Sequence, residues 1–342
     1  MATTADSSGP SAGGVVNSWE RDSFIGVDIG GTKVAAGVVN DKGEIRRRSK
    51  SPMSTHETAA EGVRSVVATI DLVLENDPEL KRSLRGIGIC SPGPLDPRTG
   101  VIINPPNLPC WRNFPLAQEI GRIYGVPVKV DNDANAAALA EGIWGAGRGY
   151  QNVFFAIIGT GVGTGLLFDR AIYYGRTGAA AEGGHMSLDY KGPRCGCGKL
   201  GCAEALLAGP AIARRAQAKL ASGQKSAMLE LAGGNIDQVT SEMVGQAYSA
   251  GDAVAREVLM ETVELLAVWL GNIVDLLEPD VMILGGGASA MLQPLFGEVR
   301  DRLPRWCVNT RCQEIPIVGA NYGNDAGIAG GAALVAQLVQ QS

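Results

Sequence analysis

The sequence predicts an α/β protein of two lobes built on one repeated unit, with a cleft between them, and three observations carry that prediction. A strand pattern closing in glycines runs directly into a second strand, first around Asp28 and again around Gly159, which marks an internal duplication. The length, 342 residues, suits two lobes of ordinary domain size or one large α/β unit. The 47 glycines gather in short clusters at strand ends and follow no repeat, as ligand-cradling loops do.

Taken in order, the first 23 residues are Ser-, Gly-, Ala- and Thr-rich up to about Val16 and hold no apolar signal core, so they read as a disordered tail. Phe24–Gly30 is a buried strand, Lys33–Asn40 a second, and Asp41-Lys42-Gly43 the turn into a third. In a dinucleotide-binding unit the glycine turn opens a helix; an antiparallel return argues against that fold. Helical spacing over His56–Asn76 leads to a strand at Gly86–Cys90, then to irregular chain at Ser91–Asp96 and Asn104–Pro109. Val126–Val130 is a strand, and Asp131-Asn132-Asp133 caps an alanine-rich helix reaching Glu141. The strand Asn152–Ile158 enters Gly159-Thr-Gly-Val-Gly-Thr-Gly165 and continues as Leu166–Tyr174 around an Asp169-Arg170 turn. Ala203–Glu278 is mostly helical, and Val281–Leu284 is a strand ending in Gly285-Gly286-Gly287. A helix at Met291–Leu303, a strand at Ile315–Gly319 and a helix at Asn324–Gln340 complete the chain.

Composition narrows the function. A net charge of -5 without a long basic stripe gives no footprint for nucleic acid, and Arg46-Arg47-Arg48 reads as a solvated strand or turn edge. No apolar run reaches the roughly 18 residues of a membrane helix; Leu265–Leu277 is broken by Asn272 and Asp275. Seven cysteines, an odd number, fit a reducing cytoplasm better than a disulfide framework. Cys307 and Cys312 are close enough in sequence to touch, though as plain thiols they need no special role. G-x-S-x-G, H-E-x-x-H and G-x-x-x-x-G-K-[ST] are all absent, which removes several other enzyme classes.

The sharpest motif is His185-x9-Cys195-x-Cys197-x4-Cys202. Zinc takes four such ligands tetrahedrally, and glycines at 196, 198 and 201 let a short loop wrap its thiolates around one ion; the bland reading is three buried or partly oxidised cysteines. Four protein ligands would close the site, making the metal structural. Asp28-Ile-Gly30-Gly31-Thr32-Lys33 offers glycines for close approach to phosphate, a hydroxyl, a charge, and a carboxylate able to hold Mg2+ through water, or else is a plain hairpin turn. Gly159-Thr160-Gly161-Val162-Gly163 fails the dinucleotide register, because positions 164 and 166 are Thr and Leu, and reads as a second phosphate-cradling hairpin. Gly285 and Gly286 can leave bare backbone for a purine or ribose, or pack a helix. Asp131-Asn132-Asp133 is ordinary capping chemistry, or a carboxylate that takes a hydroxyl proton beside an amide that holds a neighbouring hydroxyl. Glu182 and Glu204 flank the cysteines, and folding the loop on a metal would bring both acids together.

Together these residues resemble the ROK family (repressors, open reading frames, sugar kinases), and within it the bacterial glucokinases. The resemblance runs from about Phe24 to Gln337 and rests on Asp28-x-Gly-Gly-Thr-Lys33, Asn132-Asp133-Ala134-Asn135, Glu182-x-x-His185 and Cys195-x-Cys-Gly-x-x-Gly-Cys-x-Glu204 in family order. It implies an actin-like, ribonuclease-H-like ATPase fold with sugar and ATP in the interlobe cleft. It implies Asp133 as catalytic base and Asn132, Glu182, His185 and Glu204 as sugar ligands, with His185 serving zinc through its other ring nitrogen. Gly93 and Asn107 fall where the family's small lobe touches sugar, and the two glycine loops match its phosphate loops. The implied division is a small lobe at 24–130, a large lobe with the zinc loop at 131–323, and a C-terminal helix at 324–342 packing back on the small lobe. Family repressors carry a winged helix-turn-helix before the first glycine motif, and about 23 polar residues are too few for one. The implied activity is cytoplasmic transfer from ATP to the 6-hydroxyl of a hexose, glucose first, with catalytic Mg2+, structural Zn2+ and a homodimer as the family's habit. Fructose, mannose, N-acetylmannosamine or N-acetylglucosamine as acceptor, and polyphosphate as donor, stay open, as does a non-catalytic sugar sensor.

Overall fold

The computed structural model describes residues 22–75 and 77–340; the expected tail, apart from Asp22 and Ser23, lies outside the described residues. The chain opens with β1 (Ser23–Ile29), β2 (Lys33–Asn40) and β3 (Ile45–Pro52). It continues through α1 (Ala59–Leu74), α2 (Pro78–Ser83), β4 (Leu84–Cys90), a ribbon of β5 (Leu95–Asp96) and β6 (Val101–Ile102), α3 (Leu116–Tyr124) and β7 (Val128–Asp131). Then come α4 (Asp133–Ile143), β8 (Val153–Ile158), β9 (Val162–Phe168) and β10 (Ala171–Ile172). The helices α5 (Ala203–Leu207), α6 (Gly209–Ala221), α7 (Ala227–Leu231), α8 (Ser241–Ser249) and α9 (Ala253–Leu277) follow. The last elements are β11 (Val281–Gly285), α10 (Gly287–Leu292), α11 (Phe296–Arg302), β12 (Ile317–Gly319) and α12 (Ala326–Gln340).

The duplication is visible strand by strand. One sheet has the order β3-β2-β1-β4-β7 and the other β10-β9-β8-β11-β12. In each, an antiparallel hairpin (β1 with β2, β8 with β9) is extended by a parallel strand, β4 or β11, on its far side. This is the two-lobed actin-like arrangement. Local signals place the helices: Thr58 and Glu61 form a reciprocal capping box on α1, and Asp252 caps α9 by accepting the Ala255 N–H. Buried Phe154 meets Trp269 edge-to-face at 5.6 Å in the second lobe, while Trp111 stacks on Phe114 at 5.7 Å in the first. Among the described residues, no helix is long and apolar enough to cross a membrane.

Helices α4 and α12 lie between the two sheets. Helix α12 packs on β1 and β4, α4 packs on β8 and β9, and the two helices pack on each other. The approach is close because the facing residues are glycine and alanine. A Cβ on Gly26 would fall 1.7 Å from the Ile328 carbonyl oxygen, and one on Gly88 would fall 1.6 Å from that of Gly331. On the other side of α12, a Cβ on Gly330 would meet the Ala136 methyl of α4 at 2.9 Å. Buried Glu141, near the end of α4, accepts N–H bonds from Asn321 (2.7 Å), Tyr322 (3.0 Å) and Ala146 (2.9 Å), so it fixes the segment between β12 and α12.

Several expected elements differ. The strand expected from Leu166 begins at Val162, inside the glycine run, because Gly163 and Gly165 pair with Ile157 and Phe155. The single helix expected at Met291–Leu303 is two, α10 and α11, joined by a tighter turn at Gln293–Leu295 around Pro294. The strand Ile315–Gly319 shortens to β12, and α2, α3 and the β5–β6 ribbon were not expected. Arg47 pairs with Asp77 at 3.0 Å, and Arg48 grips Asp325 ahead of α12 at 2.9 Å, so two arginines of the basic triplet tie β3 to its surroundings. Cys307 and Cys312 are free thiols.

Candidate active site

A cleft of about 520 Å³ joins residues from both glycine hairpins and from the β11–α10 junction: Asp28, Asp133, Gly159, Gly285 and Gly286 line it, with Ser289, Gln293 and Asn324 farther along. Asp133 is the first residue of α4, where the helix N-terminus favours an anion, and the Ala134 N–H bonds its Oδ1 at 2.8 Å. Its carboxylate is open to the water of the cleft yet has protein on most sides, and this enclosure lifts its pKa above the usual carboxylate range. Asp28, at the end of β1, is pushed up to about 6, first by burial and then by the charge of Asp133, with Lys50 acting in the opposite direction. Two carboxylates of elevated basicity thus face one cavity, an arrangement that can take a proton and attract a cation.

The neighbouring acid has a different environment. Asp131 is fully buried at the end of β7. Its Oδ1 accepts the Asn132 N–H at 2.7 Å and the Asn135 amide at 3.2 Å, and its Oδ2 accepts the Tyr174 hydroxyl at 2.5 Å. Burial raises its pKa and these bonds pull it back. Asn132 is the N-cap of α4, accepting the Asn135 N–H at 3.0 Å. In the first hairpin the Gly30 N–H bonds the Lys33 carbonyl at 2.8 Å, and the Thr32 and Lys33 side chains stand exposed. Asn107 lies against this hairpin, since a Cβ on Gly31 would be 3.3 Å from its own. Gly93 stands in the loop after β4, and neither it nor Asn107, Asn132, Glu182, His185 or Glu204 lines the cavity that Asp133 faces.

A ring nitrogen of His185 and the Sγ atoms of Cys195, Cys197 and Cys202 all lie within 4.8 Å of one another. The Cys197–Cys202 sulfur distance is 3.6 Å, and so is that from Cys195 to His185 Nδ1, close to the edge of about 3.8 Å for a tetrahedron of zinc–sulfur bonds. Burial pushes the Cys195 thiol up to about 12 and raises that of Cys202, whereas the Lys199 backbone N–H lowers that of Cys197. Three sulfurs and one imidazole nitrogen at these separations are a donor set that fits a tetrahedral dication.

Glu204 connects this cluster to the second hairpin. Its Oε2 accepts the Val162 N–H at 3.0 Å, the Cys195 thiol lies 3.4 Å from Oε1, and a Cβ on Gly161 would meet Oε2 at 2.7 Å. Thr160 lines a small recess with Cys195 and Glu204 on one side and a larger one with Gly209, Ser241 and Gly287 on the other. Glu182 is exposed, and the residues on either side of it are bonded to Thr164 of β9. Sequence reasoning passed over Thr164, Tyr174 and Glu141.

Residues 24–338 match the ROK family. The glucokinase of Thermotoga maritima is 30% identical over 92% of this chain and 98% of that protein. The N-acetyl-D-glucosamine kinase of Pasteurella multocida is 30% identical over 90% of this chain and 98% of that protein. A ROK family glucokinase from Streptomyces griseus, solved in complex with glucose and AMPPNP, superposes with a TM-score of 0.76 at 32% identity, covering 94% of this chain and all of that one. With a cleft that gathers two basic carboxylates and glycines from the second hairpin and the β11–α10 junction, these similarities lead to the conclusion that the chain belongs to the ROK family and is a sugar kinase, a phosphotransferase that uses ATP.

Proposed function

We propose that the chain transfers the γ-phosphoryl group of ATP to the 6-hydroxyl of glucose, with Asp133 as the base. The observation that carries this reading is the placement of Asp133 at the start of α4, facing the same cleft as Asp28, Gly159, Gly285 and Gly286. The sugar hydroxyl loses its proton to the Asp133 carboxylate as its oxygen bonds to the γ-phosphorus and the bond to the β–γ bridging oxygen breaks, releasing ADP; the raised pKa makes that carboxylate a better acceptor. Phosphoryl transfer depends on positioning and charge neutralisation, which hairpin backbone at Gly30, Gly31, Thr32, Gly161 and Gly163 and the Lys33 ammonium supply. Asp28 would hold Mg2+ through water, and the ion would supply charge to offset the phosphates. Gly285 and Gly286 accept the nucleoside against bare backbone.

Asn132, Glu182, His185 through Nε2, and Glu204 bind sugar hydroxyls in this reading, with Asn107 and Gly93 on the opposite lobe. His185 Nδ1, Cys195, Cys197 and Cys202 would hold a structural zinc, which would fix the loop beside Glu204, whose Oε1 lies 3.4 Å from the Cys195 sulfur. Residues 24–130 and 131–323 act as closing lobes, with 324–342 riding on the first, and closure keeps water from the phosphoryl group.

The 30% identity to an N-acetyl-D-glucosamine kinase, equal to that of the Thermotoga glucokinase, favours a second reading in which the acceptor is that amino sugar. A coupled assay crossing glucose, N-acetylglucosamine, N-acetylmannosamine, mannose and fructose with ATP and polyphosphate separates them. The expected result is the highest kcat/KM for glucose with ATP. A higher value for N-acetylglucosamine, or for polyphosphate as donor, removes the corresponding half of the proposal.

A further inference from the structure

We infer that Thr164 is a positioning residue for the sugar site, its hydroxyl gripping the chain on both sides of Glu182 and so setting where that carboxylate stands. This rests on the reading of Glu182 as a sugar-binding acid. Thr164 sits on β9 opposite Ala156 and is 5% exposed. Its Oγ1 accepts the Gly183 N–H at 2.8 Å and donates to the Ala181 carbonyl, so the donor and an acceptor of one hydroxyl are both engaged by the immediate neighbours of Glu182. A Cβ on Gly183 would lie 3.0 Å from that oxygen and 3.3 Å from the Thr164 methyl, which shows how closely the segment rests on the strand.

Ala181 shows why such a grip is needed. Its φ is 65°, a left-handed conformation that a residue with a side chain adopts only when its surroundings enforce it. The Thr164 bond to the Ala181 carbonyl is one enforcing contact, and the Trp269 indole N–H, bonded to the Gly183 carbonyl at 3.2 Å, holds the other side. Glu182 therefore projects from a segment pinned at 181 and 183 while its own side chain is exposed. The pinning strand is also the second arm of the glycine hairpin carrying Gly163, so one hydroxyl ties the sugar carboxylate to the loop assigned to the nucleotide phosphates.

The test is steady-state kinetics of Thr164→Val, Thr164→Ser and Glu182→Gln with the best hexose of the acceptor panel. Valine keeps the shape and removes the partner of a half-buried N–H and C=O, so KM for the sugar should rise about tenfold or more while KM for ATP stays within about twofold. Serine restores the hydroxyl and should return the sugar KM to near wild type. An unchanged sugar KM in Thr164→Val overturns the inference. So do sugar and ATP KM values that rise in parallel and are not rescued by serine. If Glu182→Gln raises the sugar KM while Thr164→Val is silent, the site reading stands and this inference falls. Silence in both variants removes both. Should Thr164→Val fail to fold, Thr164→Ala, which introduces no new bulk, carries the same expectation.

Discussion

Asp28 should make the ligand-free protein less stable than it would be with an uncharged residue in its place. Its carboxyl has a pKa of 3.8 in an ordinary environment and about 6 in the folded protein, raised chiefly by burial and next by the charge of Asp133. Above pH 6 the group is ionised in both folded and unfolded chains, and the folded chain holds that charge in poorer surroundings. The step from 3.8 to about 6, at about 1.4 kcal/mol per pH unit, puts the cost at about 3 kcal/mol. Because the folded pKa is the higher one, the sign is fixed: the cost is absent below pH 3.8, grows as pH rises, and is complete above about pH 6. Asp28→Asn should therefore stabilise the ligand-free protein by up to about 3 kcal/mol at pH 7, with the gain shrinking toward zero at pH 4. Turnover should collapse in the same variant, because the proposed Mg2+ carboxylate is gone. Urea unfolding of both proteins at pH 7, 5.5 and 4 reads the gain. An Asp28→Asn protein no more stable than wild type at pH 7, or equally stabilised at pH 4 and 7, refutes the reasoning.

Asp133→Asn should lower kcat by roughly 10²–10⁴ while glucose binding, followed by calorimetry, survives; near-wild-type turnover removes the base assignment. Since enclosure raises the Asp133 pKa, kcat/KM should fall on the acid side at a pH above the 3.8 of an ordinary aspartate. Asp131→Asn should keep kcat within about tenfold and instead lose about 1–3 kcal/mol of stability, because a buried acceptor of three bonds is disturbed. A slow Asp131→Asn beside a fast Asp133→Asn would move the base to Asp131. Purified protein should carry about one Zn2+ per chain by elemental analysis, and Cys197→Ser should lose it and raise the sugar KM before the ATP KM. A folded, active preparation without stoichiometric zinc contradicts the metal assignment.

What could be read in the sequence was whatever is local. The β1–β2 hairpin was legible because apolar runs flank its glycines, and β2 falls on the expected Lys33–Asn40. The metal-capable cluster was legible because its ligands are contiguous and of one chemical kind. Helix α3 was not: it follows a proline-rich loop, starts after Pro115 without a side-chain cap, and buries only Leu116 and Ile120. Asp131 and Asp133 are alike in sequence, and only the tertiary structure shows that one is sealed against Tyr174 while the other faces the cleft. The partners of Thr164 lie at residues 181 and 183, a pairing with no local trace. Glu141 sits in an alanine helix with nothing nearby to mark it, because the N–H groups it gathers from 321 and 322 arrive from the far end of the chain.

The seam where α12 meets β1 and β4 behaves as a spacer with no adjustable parts. Most side-chain contacts can absorb an extra methyl by changing rotamer, but backbone lying against backbone cannot. A single carbon added at Gly26 or Gly88 would act as a shim, prising α12 off its sheet and shifting α4, whose first residue is Asp133. The width of the cleft is then set partly by residues that never touch a ligand, and activity in this protein should be as sensitive to a methyl group on the back of β1 as to one in the cleft.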